Sequence, residues 1–95
     1  MSPYSRETTK SIAAENTFSD KMKLHGKFVF RLRGTWSATV VLQRSEDEGT
    51  TWDDVDSYAA NTVLVGEEIE RGIYYRFGVK TGGYTSGTVA GRLSQ

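Results

Sequence analysis

The sequence predicts an all-β chain: a small antiparallel β-sandwich, Ig-like or jelly-roll-like, with an N-terminal arm. Three observations carry this. From Lys23 onward, short runs with alternating apolar side chains are separated by glycine-containing or acidic turns, the spacing of a compact sandwich. The single proline stands at position 3, so no strand interior is interrupted by one. Finally, 95 residues without a cysteine can build one modest core held by packing and hydrogen bonding rather than by disulfides.

Taken in order, residues 1–20 are rich in Ser, Thr and charge, with Ile12, Ala13, Ala14 and Phe18 as the apolar interruptions. They read as an arm with at most one edge strand, leaving 21–95 as the β-sandwich domain. Phe28, Phe30 and Leu32 alternate with Val29, Arg31 and Arg33 before Gly34 ends the run, a period of two with one polar face. Residues 37–44 place Ala38, Val40 and Leu42 on one side and Thr39, Val41 and Gln43 on the other. A turn at 45–51 follows, and 52–59 form its return strand, where the spacing of Trp52 and Val55 predicts a bulge near Asp53 and Asp54 that turns both inward.

Residues 61–65 read as a short strand closed by Gly66, and 67–72 as a charged connection. Ile73, Tyr75, Phe77 and Val79 form the clearest core stripe, which places that strand centrally in a sheet. Thr81, Gly82, Gly83 and Tyr84 have the composition of a primed hairpin turn. The last strand, 86–93, sets Val89 and Leu93 against Thr88, Ala90 and Arg92.

Composition limits function. Lys plus Arg number 12 and Asp plus Glu 12, for a formal net charge of +0, so the long-range field that draws proteins to nucleic acid or anionic membranes is missing. The N-terminal residues lack the apolar stretch of a signal peptide, and no run is long enough for a membrane span. Synthesis in the cytoplasm is expected, and a protein carried out in a particle released by lysis needs no signal.

Candidate chemistry is sparse, and no enzyme activity and no cofactor is expected. His25 is the one histidine and has no cysteine to activate. Glu46, Asp47, Glu48, Asp53, Asp54 and Asp56 supply the oxygen ligands that Ca²⁺ prefers, but the EF-hand template fails because strands, not helices, flank them. They read as a solvated turn and edge, so neither catalytic nor metal residues are assigned. The aromatics are better candidates. Trp52 and Tyr75 are read as core, whereas Trp36, Tyr74 and Tyr84 lie beside turns or out of phase with the core stripe and are candidate partner-contacting residues. Arg31, Arg33 and Arg76 are expected to line one polar sheet face able to dock an acidic neighbour.

Residues 45–52 read Ser-x-Asp-x-Gly-x-Thr-Trp, which resembles the Asp-box hairpin of sialidase propellers. The resemblance implies a structural turn: Ser45 and Asp47 satisfying turn amides, Gly49 at positive φ, Thr51 completing the motif and Trp52 seating the return strand. A propeller needs about four or more four-stranded blades, far more chain than is present, so the motif implies architecture rather than glycosidase chemistry.

The block Gly34-Thr35-Trp36-Ser37-Ala38-Thr39-Val40-Val41-Leu42-Gln43-Arg44-Ser45, the turn after it, and the later Gly72-Ile73-Tyr74-Tyr75-Arg76 and Tyr84-Thr85-Ser86-Gly87-Thr88 resemble small β-sandwich virion structural proteins of tailed bacteriophages. That resemblance implies a decoration or cement protein of the capsid, acting through the N-terminal arm and a sandwich surface. Its implied partners are the major capsid protein or other virion proteins, with a homo-oligomer expected and no nucleic acid or membrane. The same resemblance allows a head-tail or fibre accessory. A carbohydrate- or receptor-binding module built on the exposed aromatics is the competing class.

Overall fold

The computed structural model describes residues 6–95. Nine strands follow in chain order: β1 (Glu7–Ile12), β2 (Thr17–Phe18), β3 (Met22–Arg33), β4 (Trp36–Ala38) and β5 (Val40–Ser45), then β6 (Asp53–Tyr58), β7 (Thr62–Val79), β8 (Tyr84–Gly87) and β9 (Val89–Ser94). All pairings are antiparallel, and no helix occurs among the described residues. Seven strands form one continuous hydrogen-bonded sheet, ordered β1-β9-β3-β7-β5-β6 with β2 also on β7, while β4 and β8 make a separate ribbon. The fold is the small antiparallel β-sandwich that the alternation predicts.

The long sheet becomes a sandwich by folding over itself. Register along β3 and β7 jumps from Leu24↔Ile73 to Gly26↔Glu68, so residues 69–72 stand opposite His25 alone and make a corner. Gly26 and Gly72 carry positive φ there, 85° and 78°, which only glycine adopts cheaply. Strands that bend at bulges are how one ladder supplies two packed layers. One layer holds β1, β9, the later part of β3 and residues 62–68 of β7. The other holds β2, the start of β3, residues 73–79 of β7, then β5 and β6.

Ring contacts across the fold establish the layering. Phe30 belongs to the first layer and Phe77 to the second, yet their centroids are 5.4 Å apart, and Phe28 and Tyr75 are 5.1 Å apart. Gly91 makes room for this approach, since a Cβ there would clash with the Phe77 ring. Phe30, Leu32, Leu42, Phe77, Val79, Val89 and Leu93 are essentially solvent-free. Trp36, Ala38 and Tyr84, on the β4–β8 ribbon, pack against this cluster and close one end.

Several local expectations need correction. Residues 62–65 and 73–79 belong to one strand, because the charged run between them pairs with β3 through Glu67↔Lys27 and Glu68↔Gly26. The run at 37–44 is divided at Thr39, whose N–H donates to the Gly83 carbonyl at 2.8 Å: its first part pairs with β8, and its second with β6 and β7. Accordingly the turn at 81–83 does not return along β7 but crosses to β4. The expected bulge is present, with Leu42↔Asp56 followed by Gln43↔Asp54. Its extra residue, Val55, points outward at 50% exposure, so the bulge does not turn it into the core.

The N-terminal segment is also more integrated than an arm. β1 pairs with β9 along its length, Ile12 is fully buried, and β2 pairs with β7. The Ser19 hydroxyl accepts the Phe77 N–H at 3.1 Å, while the Ser19 N–H donates to the Phe77 carbonyl at 2.8 Å. Residues 1–5 of the expected arm lie outside the described residues.

Candidate interaction surfaces

The turn between β5 and β6 is built by two side chains. Ser45, with no exposed surface, accepts the Gly49 N–H at 2.8 Å and the Asp47 N–H at 3.3 Å through its hydroxyl oxygen, and donates to Asp47 Oδ1 at 2.7 Å. Asp47 in turn accepts the Thr51 N–H at 2.8 Å and the Thr51 hydroxyl at 2.6 Å. Local bonds of this kind replace ladder bonds where the chain reverses. Gly49 has φ 95°. The Thr51 hydroxyl and amide, then Ser45, hold the Asp47 carboxyl down at about 2. Asp47 is therefore engaged within the turn.

Trp52 lies outside the core. Its ring and that of Phe18 both meet the Arg76 guanidinium, 4.4 and 4.1 Å from the ring centroids, a cation–π arrangement on the outward face of the second layer. The face of an aromatic ring attracts a cation through its quadrupole, and the Trp52 ring is engaged in this way at a half-buried position. Arg76 Nε also donates to Gln43 Oε1 at 2.8 Å, and Gln43 Nε2 to Asp54 Oδ1 at 2.9 Å. The Lys80 ammonium first, then Gln43, lowers the Asp54 carboxyl. Arg76 is thus committed inside the chain and sits apart from Arg31 and Arg33.

The aromatic candidates divide similarly. The Trp36 indole N–H donates to Asn61 Oδ1 at 2.7 Å, and Asn61 Nδ2 donates to the Gly34 carbonyl at 3.0 Å. The Tyr84 hydroxyl donates to the Gly87 carbonyl at 2.8 Å. Both rings are half-buried and seal the core end. Tyr74 is half-buried on the second layer's outward face, with the Lys21 ammonium 5.2 Å from its ring centroid.

Inside the corner lies a cluster that sequence reasoning missed. Glu68, buried at 5% exposure, accepts Arg44 Nε at 2.6 Å, Arg44 Nη2 at 3.2 Å, the Tyr75 hydroxyl at 2.8 Å and the Glu70 N–H at 3.0 Å. Arg44 first among these partners holds the Glu68 carboxyl near 2, and burial pushes the Tyr75 hydroxyl up to about 12. One carboxylate thereby ties both halves of β7 to β5. Its signal was hidden because Glu68 falls in a charged run that resembles a connection.

The first layer's outward face is a different surface. Arg31 and Arg33 lie there as expected, joined by Arg92, which stands directly opposite Arg31 across β3 and β9. With Lys10 they line a groove of ≈ 430 Å³. Beside it, Val63 and Val65 are each 68% exposed, and Ile69 at the corner is 83% exposed. Val63 pairs with Arg31, and Val65 with Val29. The other edge of residues 62–68 has no strand partner among the described residues. Compared with known proteins, the chain matches no family model, no curated protein and no solved structure.

Proposed function

We propose that this chain is a non-enzymatic structural subunit of a tailed-phage virion that decorates or cements the capsid shell, bound to the major capsid protein. The single observation that carries the docking part is the first layer's outward face: Val63 and Val65 are 68% exposed beside a strand edge with no partner among the described residues. Apolar side chains next to an open edge invite a neighbouring protein, which can add a strand or cover the valines. The phage assignment itself comes from the sequence blocks around Trp36–Ser45 and Gly72–Arg76.

The docking surface in this proposal is the folded face rather than a free arm, because β1 and β2 are already used by the domain's own sheet. Contact with the lattice stabilises the subunit by mass action. A glycan platform built on Trp36, Tyr74 and Tyr84 is less well supported, since all three rings are half-buried and those of Trp36 and Tyr84 pack against the core.

The test is to mix purified protein with expanded capsid shells that lack it and sediment them. Saturable co-sedimentation is expected. No binding at saturating concentration, by protein shown to be folded, would overturn the capsid reading.

A further inference from the structure

We infer that the groove over β3 and β9 recognises carboxylates presented by an acidic segment of a partner protein. The inference rests on the reading of this chain as a docking subunit and names the chemistry of what it docks to. Its first support is register. Arg31 and Arg92 are direct cross-strand partners, and like charges placed opposite one another weaken strand pairing. Arg33, two residues on, shares their face and stands opposite Ala90, whose small side chain leaves the guanidinium groups uncovered.

The second support is what these groups lack. Glu7 pairs with Arg92, but among the described residues no carboxylate forms an ion pair with Arg31, Arg33 or Lys10. Arg31 Nε is shielded from solvent and has no hydrogen-bond partner among the described residues, an arrangement that costs stability in a finished structure. Arg44 and Arg76 in the same chain are both answered by acceptors. A guanidinium fork pairs with a carboxylate through two parallel bonds, and the exposed Arg33, with no ion-pair partner among the described residues, offers such a fork to an incoming acidic side chain.

The surroundings select the source of that carboxylate. A second copy apposed through the same face would set these arginines against their own images. A long polyanion such as nucleic acid needs an extended basic field, whereas here Glu7 already pairs with Arg92 and the net charge is +0. Val63 and Val65 border the groove and suit the apolar side chains of an extended protein segment.

The probe is a labelled peptide alternating glutamate with valine, read by fluorescence anisotropy against the full chain, with a glutamine-for-glutamate peptide as control. Expected are saturable binding of the glutamate peptide, weakening with added salt, little binding of the control, and at least about a tenfold loss in Arg33→Glu. Arg33 is exposed, so its reversal spares the core, and Arg31→Gln provides a second variant without added charge. Equal binding of the two peptides, unchanged affinity in both variants, binding of polyphosphate with no binding of the peptide, or dimerisation abolished by Arg33→Glu would each overturn the inference. The two readings fail separately. Shells that bind wild type and Arg33→Glu alike sink the groove and leave docking standing, whereas peptide binding without shell binding keeps the groove and removes the capsid.

Discussion

Arg44 and Arg31 occupy opposite circumstances in the same small domain. At the corner, Arg44 meets Glu68, which also takes the Tyr75 hydroxyl and the Glu70 amide, so the buried carboxylate is fully answered. On the outward face, Arg31 confronts Arg92 across the ladder, with its own Nε unanswered among the described residues. The first arrangement serves folding, since it joins the two halves of β7 where the sheet turns over. The second places like charges directly opposite one another, which works against strand pairing. Charge that the fold does not use is the feature on which the proposed docking surface rests.

The largest effect should come from breaking the corner. Glu68→Ala leaves the Tyr75 hydroxyl without its acceptor and the Arg44 guanidinium with Glu46 and Glu70 as its remaining partners, and urea denaturation should show a loss of about 2 kcal/mol. A loss under about 1 kcal/mol would mean that the corner is held by the backbone alone. Next in size is Ser45→Ala, which removes the acceptor for the Gly49 and Asp47 amides from a fully buried position. It should cost about 1–2 kcal/mol, measured in the same way, with the β5–β6 turn losing hydrogen-exchange protection first.

Titration sharpens the same contrast. The Glu68 carboxyl is lowered from 4.5 to about 2, so its contribution is complete above the unfolded value and disappears as pH falls from 4.5 towards about 2. Asp47, also lowered to about 2 by the turn, acts in the same direction. Tyr75, raised from 10.0 to about 12 chiefly by burial, stabilises the fold at neutral pH and loses that contribution as pH rises through this interval. Melting temperature should therefore drop in acid and again in alkali. In Glu68→Ala the acid limb should shrink, and an unchanged acid limb would remove Glu68 from the account.

The smallest stability effect belongs to the groove. Arg31→Val, which relieves the opposed arginines and sets a β-branched residue beside Val63, should raise stability by about 0.5 kcal/mol. A clear loss would show that Arg31 serves the fold after all.

How much of this was readable in the sequence depends on whether a residue's role is set locally. Phe28, Phe30 and Leu32, and the stripe from Ile73 to Val79, follow the pleat directly, so period two revealed them. The hydroxyl and carboxylate of the 45–51 turn were equally legible because their partners lie within a few residues. The corner was not, since a strand that bends through Glu67–Gly72 has the composition of a loop, and pairing with β3 decides the matter. Trp52 was misplaced for a related reason: a large aromatic after a turn satisfies a core pattern as readily as it stacks on a cation from another strand. Arg31 and Arg33 were legible as a polar face, whereas Arg92 enters that face through a β3–β9 register that no local pattern encodes.

Urea unfolding of wild type and Arg31→Val, each with and without a saturating glutamate-rich peptide, tests most directly whether the outward arginines serve binding rather than folding. The account predicts that peptide at about one hundred times its dissociation constant stabilises wild type by about 2.7 kcal/mol, and that Arg31→Val is the more stable protein without peptide and gains far less from it. An Arg31→Val protein that is less stable alone, or that responds to the peptide as wild type does, would contradict it.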